Sequence, residues 1–216
     1  MLIQRSDPVR LPSALVAACR RWNVLPTRHV LIVRCRTQTM LWLVQARAQK
    51  AKAARILPNR KAGPVAGLIN TPLKWLAAFP RYQARGRFRI STSRFGLGQI
   101  AGSQRTPLSL HRVADKIGGG WPIGTVFQAR RPIGFTWLGL PNASIVHRIL
   151  WLEGLEPGLN RGGNVDSYRR YIYVHGFSDE TTLGRPASCG CIHLAAADLL
   201  PLFQQIPLGT LLWICE

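Results

Sequence analysis

Two stretches near the C-terminal end decide how this chain reads: Ile172-Tyr-Val-His175-Gly176, and Leu183-Gly-Arg-Pro-Ala-Ser188-Cys-Gly190-Cys191-Ile-His193-Leu194. The first is an apolar run that delivers a histidine into a turn. The second opens a Ser-x-Gly-Cys at Ser188 and puts another reactive side chain on a second tight turn. A thiol needs a neighbouring base to become a thiolate near neutral pH, and a histidine and a cysteine at the ends of adjacent elements supply that pair. These residues therefore predict Cys191 as a nucleophile and His175 as its base. Gly176 and Gly190 permit tight backbone turns beside the two side chains. The N–H groups of Gly190 and Cys191 are then available to hold an oxyanion.

Other readings of the same residues stay open at this point. Ordinary buried Cys and His side chains would satisfy the pattern. On an extended segment Cys189, Cys191 and His193 alternate to one side, and with His175 they would make a Cys2His2 set suited to zinc. Against zinc, Cys-x-Cys-x-His lacks the wider spacing usual in zinc knuckles. A redox role for the Cys189/Cys191 pair is the remaining chemical reading.

Working outward, strand-like runs alternate with Gly/Pro turns over Arg87–Thr92, Thr125–Arg130, Val146–Leu152 and Tyr171–Val174, and a final strand falls near Leu211–Cys215. Nearer the start, His29–Arg36 and Thr39–Gln45 are rich in β-branched and apolar residues and read as two strands joined by a tight turn. Ala195–Gln205 reads as a late helix. The fold class is thus mainly β with minor α, a sandwich or barrel-like sheet arrangement with one or two short helices. Residues 46–84 read as a basic insertion, with helical propensity over 46–57 and a short helix over 72–79. The loops around Gly96, Gly98 and Gly102 miss the GxGxxG spacing by one residue, so they read as turns rather than a phosphate cradle.

The chain of 216 residues is 47% hydrophobic, enough to bury a sizeable core and to exclude wholesale disorder. Its net charge of +20 is unevenly placed. Residues 1–114 carry 21 Lys/Arg against one acid, Asp7, whereas residues 115–216 carry eight of each sign. The basic half would concentrate an anionic polymer such as nucleic acid, anionic lipid or acidic cell-wall material, or it is simply a solvated surface. Five cysteines are an odd count, scattered over a chain too long for a disulfide-stapled mini-domain. Cys35 and Cys215 read as small core residues. No apolar stretch reaches the roughly 18–20 residues that a membrane span requires. Residues 1–27 form a basic arm with two readings. Val16-Ala-Ala-Cys19, after Arg5, Arg10 and the apolar run Leu11–Ala18, has the shape of a lipoprotein cleavage site. A short helix begun by Pro12-Ser13 accounts for the same residues.

The two opening stretches resemble the signature of the YkuD-type L,D-transpeptidases, His-Gly followed by Ser-x-Gly-Cys-Ile-Arg. Further blocks resemble the family in order: Phe88–Gly98, Arg105–Val113, Ile149–Leu155 and Tyr168–His175. The resemblance covers about 85–216 and more weakly 28–45, which makes 28–216 a YkuD-like catalytic domain carrying the 46–84 insertion. It implies an L,D-transpeptidase of peptidoglycan stem peptides. Cys191 would be the nucleophile that forms a thioester, His175 the base, and the Gly176 carbonyl the group orienting His175. Ser188 and His193 would lie on the substrate side. Neither metal nor organic cofactor is implied, nucleic acid is not expected as a partner, and the location implied is the periplasm or cell envelope. The sequence departs from the pattern at Cys189, where histidine or lysine is common, and at His193, which replaces an arginine and so loses a permanent charge and a bidentate donor. Ser109 replaces a glycine after Thr-Pro-x, and Ala195 and Ala196 fill a short stretch that is usually polar. The alternative from another class is a diverged binding module that docks on an anionic polymer through the basic N-terminal half.

Overall fold

The structure, a computed structural model, describes residues 7–46 and 79–216. Ten strands dominate it: β1 (His29–Arg34), β2 (Thr39–Gln45), β3 (Tyr82–Ser91), β4 (Ser109–Ile117), β5 (Thr125–Gln128), β6 (Arg131–Phe135), β7 (Val146–Gly154), β8 (Tyr173–Gly176), β9 (Ile192–Leu194) and β10 (Leu211–Cys215). Two α-helices accompany them, α1 (Ser13–Arg21) and α2 (Ala196–Gln205). The strand order is β4-β10-β1-β2-β3-β9-β8-β7-β5-β6, and β4 also pairs with β7. That extra pairing closes eight strands on themselves, leaving β5 and β6 as a hairpin branching from β7. Closure removes the unpaired edges that an open sheet would expose.

The period-two alternation of each strand divides its side chains between two environments. One side fills the barrel: Leu31, Val33, Met40, Phe88, Ile90, Leu150, Leu152, Val174, Ile192 and Leu212 form one buried cluster with Leu199, Leu202 and Phe203 of α2. Burying each such side chain stabilises the fold by roughly 1.5–3 kcal/mol. The opposite face of β1 and β2 is not left to solvent. Val30, Ile32 and Leu43 pack there with Leu15 and Cys19 of α1. This explains why His29–Arg34 is apolar almost without interruption, with both faces covered.

Helix α1 begins at Ser13 with Pro12 at its N-cap position, as the helical reading of this segment requires. The described part of the N-terminal arm is stitched to the barrel. Val9 and Tyr82 exchange backbone hydrogen bonds of 2.7 and 2.8 Å, and Cys19 is fully buried, with its thiol pushed up to about 12 by that burial.

Several sequence expectations shift. β3 starts at Tyr82, not Arg87, because Tyr82–Ala84 complete the ladder to Leu43–Gln45. The last residues of the stretch read as an insertion thus belong to β3. The Ala46 N–H donates to Arg81 O at 2.8 Å, so the chain leaves and re-enters the barrel at one point. Both helices expected within 46–79 fall on residues lying, but for their end residues, outside the described ones. β4, β6 and β9 have no counterpart among the runs singled out by composition. β4 mixes His111, Asp115 and Lys116 into its pattern, β6 contains Pro132 and Gly134, and β9 is three residues long. Cys35 is buried, whereas Cys215 is only half-buried.

Candidate active site

The site is built by alternation on two adjacent strands. β8 and β9 run parallel with Val174 opposite Ile192 and His175 opposite His193. Val174 and Ile192 point into the barrel. Tyr173 and His175, with Cys191 and His193, therefore face the other way. There Cys191 packs against a small cluster of Phe127, Ile149, Trp151 and Tyr173. The parallel pairing thus places the candidate nucleophile and base on one face, one step apart along neighbouring strands.

His175 does not sit in a turn, as its sequence context suggested, but inside β8, paired with Ile149 on one side and His193 on the other. Gly176 is likewise the last residue of β8 and needs no special backbone angle. A Cβ there would lie 2.5 Å from Cδ2 of His147 and 2.6 Å from Val146 O, so glycine serves close packing. His147 occupies a bulge of β7 with φ +71°, and its Nδ1 accepts from the Gly124 N–H at 2.8 Å. The sequence reading passed over this histidine, since no motif marks it.

His175 Nδ1 donates to the carbonyl of its neighbour Gly176 at 2.8 Å. A carbonyl can only accept, so Nδ1 carries the proton and Nε2 is left as the basic nitrogen. Burial holds the imidazole down at about 4, only partly offset by that hydrogen bond. The Cys191 thiol donates to Tyr171 O at 3.4 Å, and its sulfur accepts from the Tyr173 N–H, also at 3.4 Å. Burial pushes the thiol up to about 11, against the downward pull of the Tyr173 N–H. At neutral pH both groups are therefore uncharged. The thiol is parked on backbone, and the Tyr173 N–H stands ready to stabilise a sulfur anion.

The loop before Cys191 is shaped from within. Ser188 Oγ donates to Cys191 O at 2.5 Å and lies 3.3 Å from the Gly190 N–H, and Thr106 Oγ1 donates to Gly190 O at 3.0 Å. Gly190 has φ +122°, a conformation that L side chains rarely adopt, so here glycine is required by the turn itself. Ser188 is 2% exposed. Its hydroxyl hydrogen-bonds within the turn.

His193 is buried as well. It is 6% exposed, stacks on Phe177 with ring centroids 4.4 Å apart and meets His175 edge-on at 4.9 Å. Burial, with some push from His175, holds it at about 3. It is a neutral packing partner of His175.

Cys189 precedes the strand instead of extending it, and it is exposed. Among the described residues no three His, Cys, Asp or Glu side chains are grouped to hold a metal ion. The Cys2His2 alternative left open by the alternation is thus not grouped among them.

Two arginines without sequence signals flank the site. Arg170 donates to the carbonyls of Gly98 (3.2 Å), Gln99 (2.8 Å) and Arg105 (2.6 Å), tying the loop after β3 to the segment before β8. Arg130, from the β5–β6 turn, lies over the rings of Trp151 and Tyr171. Beside Cys189 a cavity of about 340 Å³ opens, lined by Gln104, Arg169, Arg170, Tyr171 and Ile172 among others.

The family model for the L,D-transpeptidase catalytic domain, YkuD, matches residues 66–214. The chain belongs to this family. The match begins within the stretch that the sequence reads as an insertion. Solved structures similar to this chain include an L,D-transpeptidase from Mycobacterium smegmatis, at 11% identity and a TM-score of 0.43, covering 88% of this chain and 59% of that one. L,D-transpeptidase 3 from Mycobacterium tuberculosis, in complex with a faropenem-derived adduct, is 13% identical with a TM-score of 0.43, covering 88% of this chain and 60% of that one. Bd1075 of Bdellovibrio bacteriovorus is 12% identical with a TM-score of 0.46, covering all of this chain and 54% of that one. The chain thus spans about three fifths or less of these three structures. No curated protein matches it.

Proposed function

We propose that this YkuD domain acts as a cysteine-dependent L,D-transpeptidase on peptidoglycan stem peptides in the cell envelope. The observation that carries the proposal is the β8–β9 register, which brings Cys191 to the face of His175 while the Gly176 carbonyl fixes which ring nitrogen is basic. When a peptide carbonyl approaches, the thiol leaves Tyr171 O and passes its proton to His175 Nε2. The sulfur then attacks the carbonyl between an L-centre diaminoacyl residue and the terminal D-alanine. The N–H groups of Cys191 and Gly190 receive the developing oxyanion, the second after giving up its long contact to Ser188 Oγ. His175 returns the proton to the leaving amine, D-alanine departs and a thioester remains. An amine from a second stem, another amino acid or water then releases the acyl group and frees the thiol. No step needs a metal or an organic cofactor.

The test is intact mass after incubation with a carbapenem, which acylates the cysteine of this family. One adduct is expected on the wild type and none on Cys191→Ala, with acylation of His175→Ala slowed by about a hundredfold or more, the scale of a lost general base. An adduct retained by folded Cys191→Ala would overturn the nucleophile. Absence of any adduct on folded, reduced wild type would favour the binding-module reading. That reading draws on Arg85, Arg87 and Arg89, which alternate outward and exposed along β3 as a basic stripe.

A further inference from the structure

The β5–β6 turn is built at a cost. Ala129 and Arg130 take φ of +46° and +68° in a two-residue connection, angles that favour Asn-Gly and are rare for Ala and Arg. Strain held at one turn asks what the turn presents. It presents a cation. The Arg130 guanidinium sits 4.8 Å from the Trp151 ring centroid and 4.9 Å from that of Tyr171, with Nη1 3.5 Å from the Tyr173 hydroxyl. Tyr171 and Tyr173 are the two residues whose backbones hold the Cys191 thiol. Arg130 is therefore poised over the immediate frame of the nucleophile.

Its donors are largely unspent. The ion pairs of the described residues are those of Glu153 with Arg112 and Arg161, and none includes Arg130. Arg170, which also flanks the site, is committed to three backbone carbonyls. His193, at the position where a cation would follow the nucleophile, is buried and stacked on Phe177. Arg130 keeps hydrogen-bonding capacity over the Tyr171 and Tyr173 frame of Cys191, backed by aromatic faces that orient its planar fork.

We propose that Arg130 binds a carboxylate of the peptide being cleaved, and that it supplies the positive charge position 193 lacks. This inference rests on the peptidase-like reading of Cys191, so the experiment separates the two. Binding of a stem tetrapeptide ending in D-alanine is measured by calorimetry on Cys191→Ala, which holds substrate without reacting, alone and combined with Arg130→Asn. Asparagine suits a positive φ, so the variant removes the cation without burdening the turn. Two further peptides carry the terminal carboxylate or the side-chain carboxylates as amides, and so identify which one Arg130 holds.

Loss of one charge-assisted contact predicts roughly ten- to hundredfold weaker binding in the Arg130→Asn background. Amidation of the recognised carboxylate should cost the same in the Arg130 background and nothing further once Arg130 is replaced. Arg130→Lys should restore part of the affinity. Equal losses from amidation with and without Arg130, unchanged affinity in Arg130→Asn, or no peptide binding at all would each overturn the assignment. Carbapenem adduct formation on Cys191, followed in parallel with Arg130 intact, reports separately on the nucleophile.

Discussion

The uncharged resting state of the Cys191–His175 pair leads to a pH profile that a preformed ion pair could not give. Burial raises the thiol from its ordinary 9.0 to about 11 and lowers the imidazole from 6.5 to about 4. Below both thiol values, a rise of that size makes the thiolate about a hundred times scarcer than in an unperturbed cysteine. The perturbation is pH itself, and the assay is alkylation by a small haloacetamide, with the rate at Cys191 read from its own peptide by mass spectrometry. The Cys191 rate should be about a hundredfold below that of a model thiol near pH 7, rising about tenfold per pH unit toward a plateau near 11. His175→Ala should change this profile little, because the imidazole is neutral throughout that range. Acylation by a carbapenem should behave differently. It needs His175 unprotonated, so it should rise as pH passes the imidazole value near 4 and then stay flat through neutrality. An alkylation plateau already reached near pH 6 or 7, abolished by His175→Ala, would refute the reasoning: it would mean a thiolate–imidazolium pair in the resting protein.

The remaining predictions concern stability. Ser109 holds φ +79°, so Ser109→Gly should stabilise the fold by about 1 kcal/mol in chemical denaturation, the usual cost of a left-handed non-glycine residue less the glycine entropy. A destabilised Ser109→Gly would mean that the serine side chain compensates its own strain. His111 and His175, each held near 4, and His193, held near 3, fold as neutral groups. The unfolded chain binds protons first as pH falls below about 6.5, so the stability these residues contribute is complete above that pH and drains away as pH falls through the folded values, by up to about 3 kcal/mol each for His111 and His175 and about 5 kcal/mol for His193. A melting temperature unchanged between neutral pH and about 4.5 would contradict the burial of these rings.

How much of this was legible beforehand varies by element. The β1 and β2 runs, α2 and β10 were readable almost to the residue, because their apolar periodicity reflects one local environment each. β9 was not, although it carries the site. Three residues offer too short a run for any pattern, and β9 exists because it is clamped between β3 and β8. The same clamp explains the misplacement of His175 in a turn. Glycine after a histidine looks like a turn locally, but here it marks the close approach of His147 and Val146. His147, Arg130 and Arg170 had no signal, since each acts on residues remote in sequence. Ser109 was visible as a departure from the family pattern, yet its meaning depended on a backbone angle.

What the sequence by itself determined is the chemistry available: a thiol beside a glycine that permits a tight turn, a histidine in an apolar run, a mainly β chain and a basic N-terminal half. Those are properties of residue type and local order. Only the tertiary structure decided which of them work together. Parallel pairing of β8 and β9 set Cys191, His175 and His193 on one face, with Ser188 and His193 buried and Cys189 left outside the strand. The hydrogen bond to the adjacent Gly176 carbonyl, made in the strand geometry of β8, settled the ring tautomer, and burial settled the resting protonation. Desolvation depends on what surrounds a group in space, and neighbours along the chain do not report it.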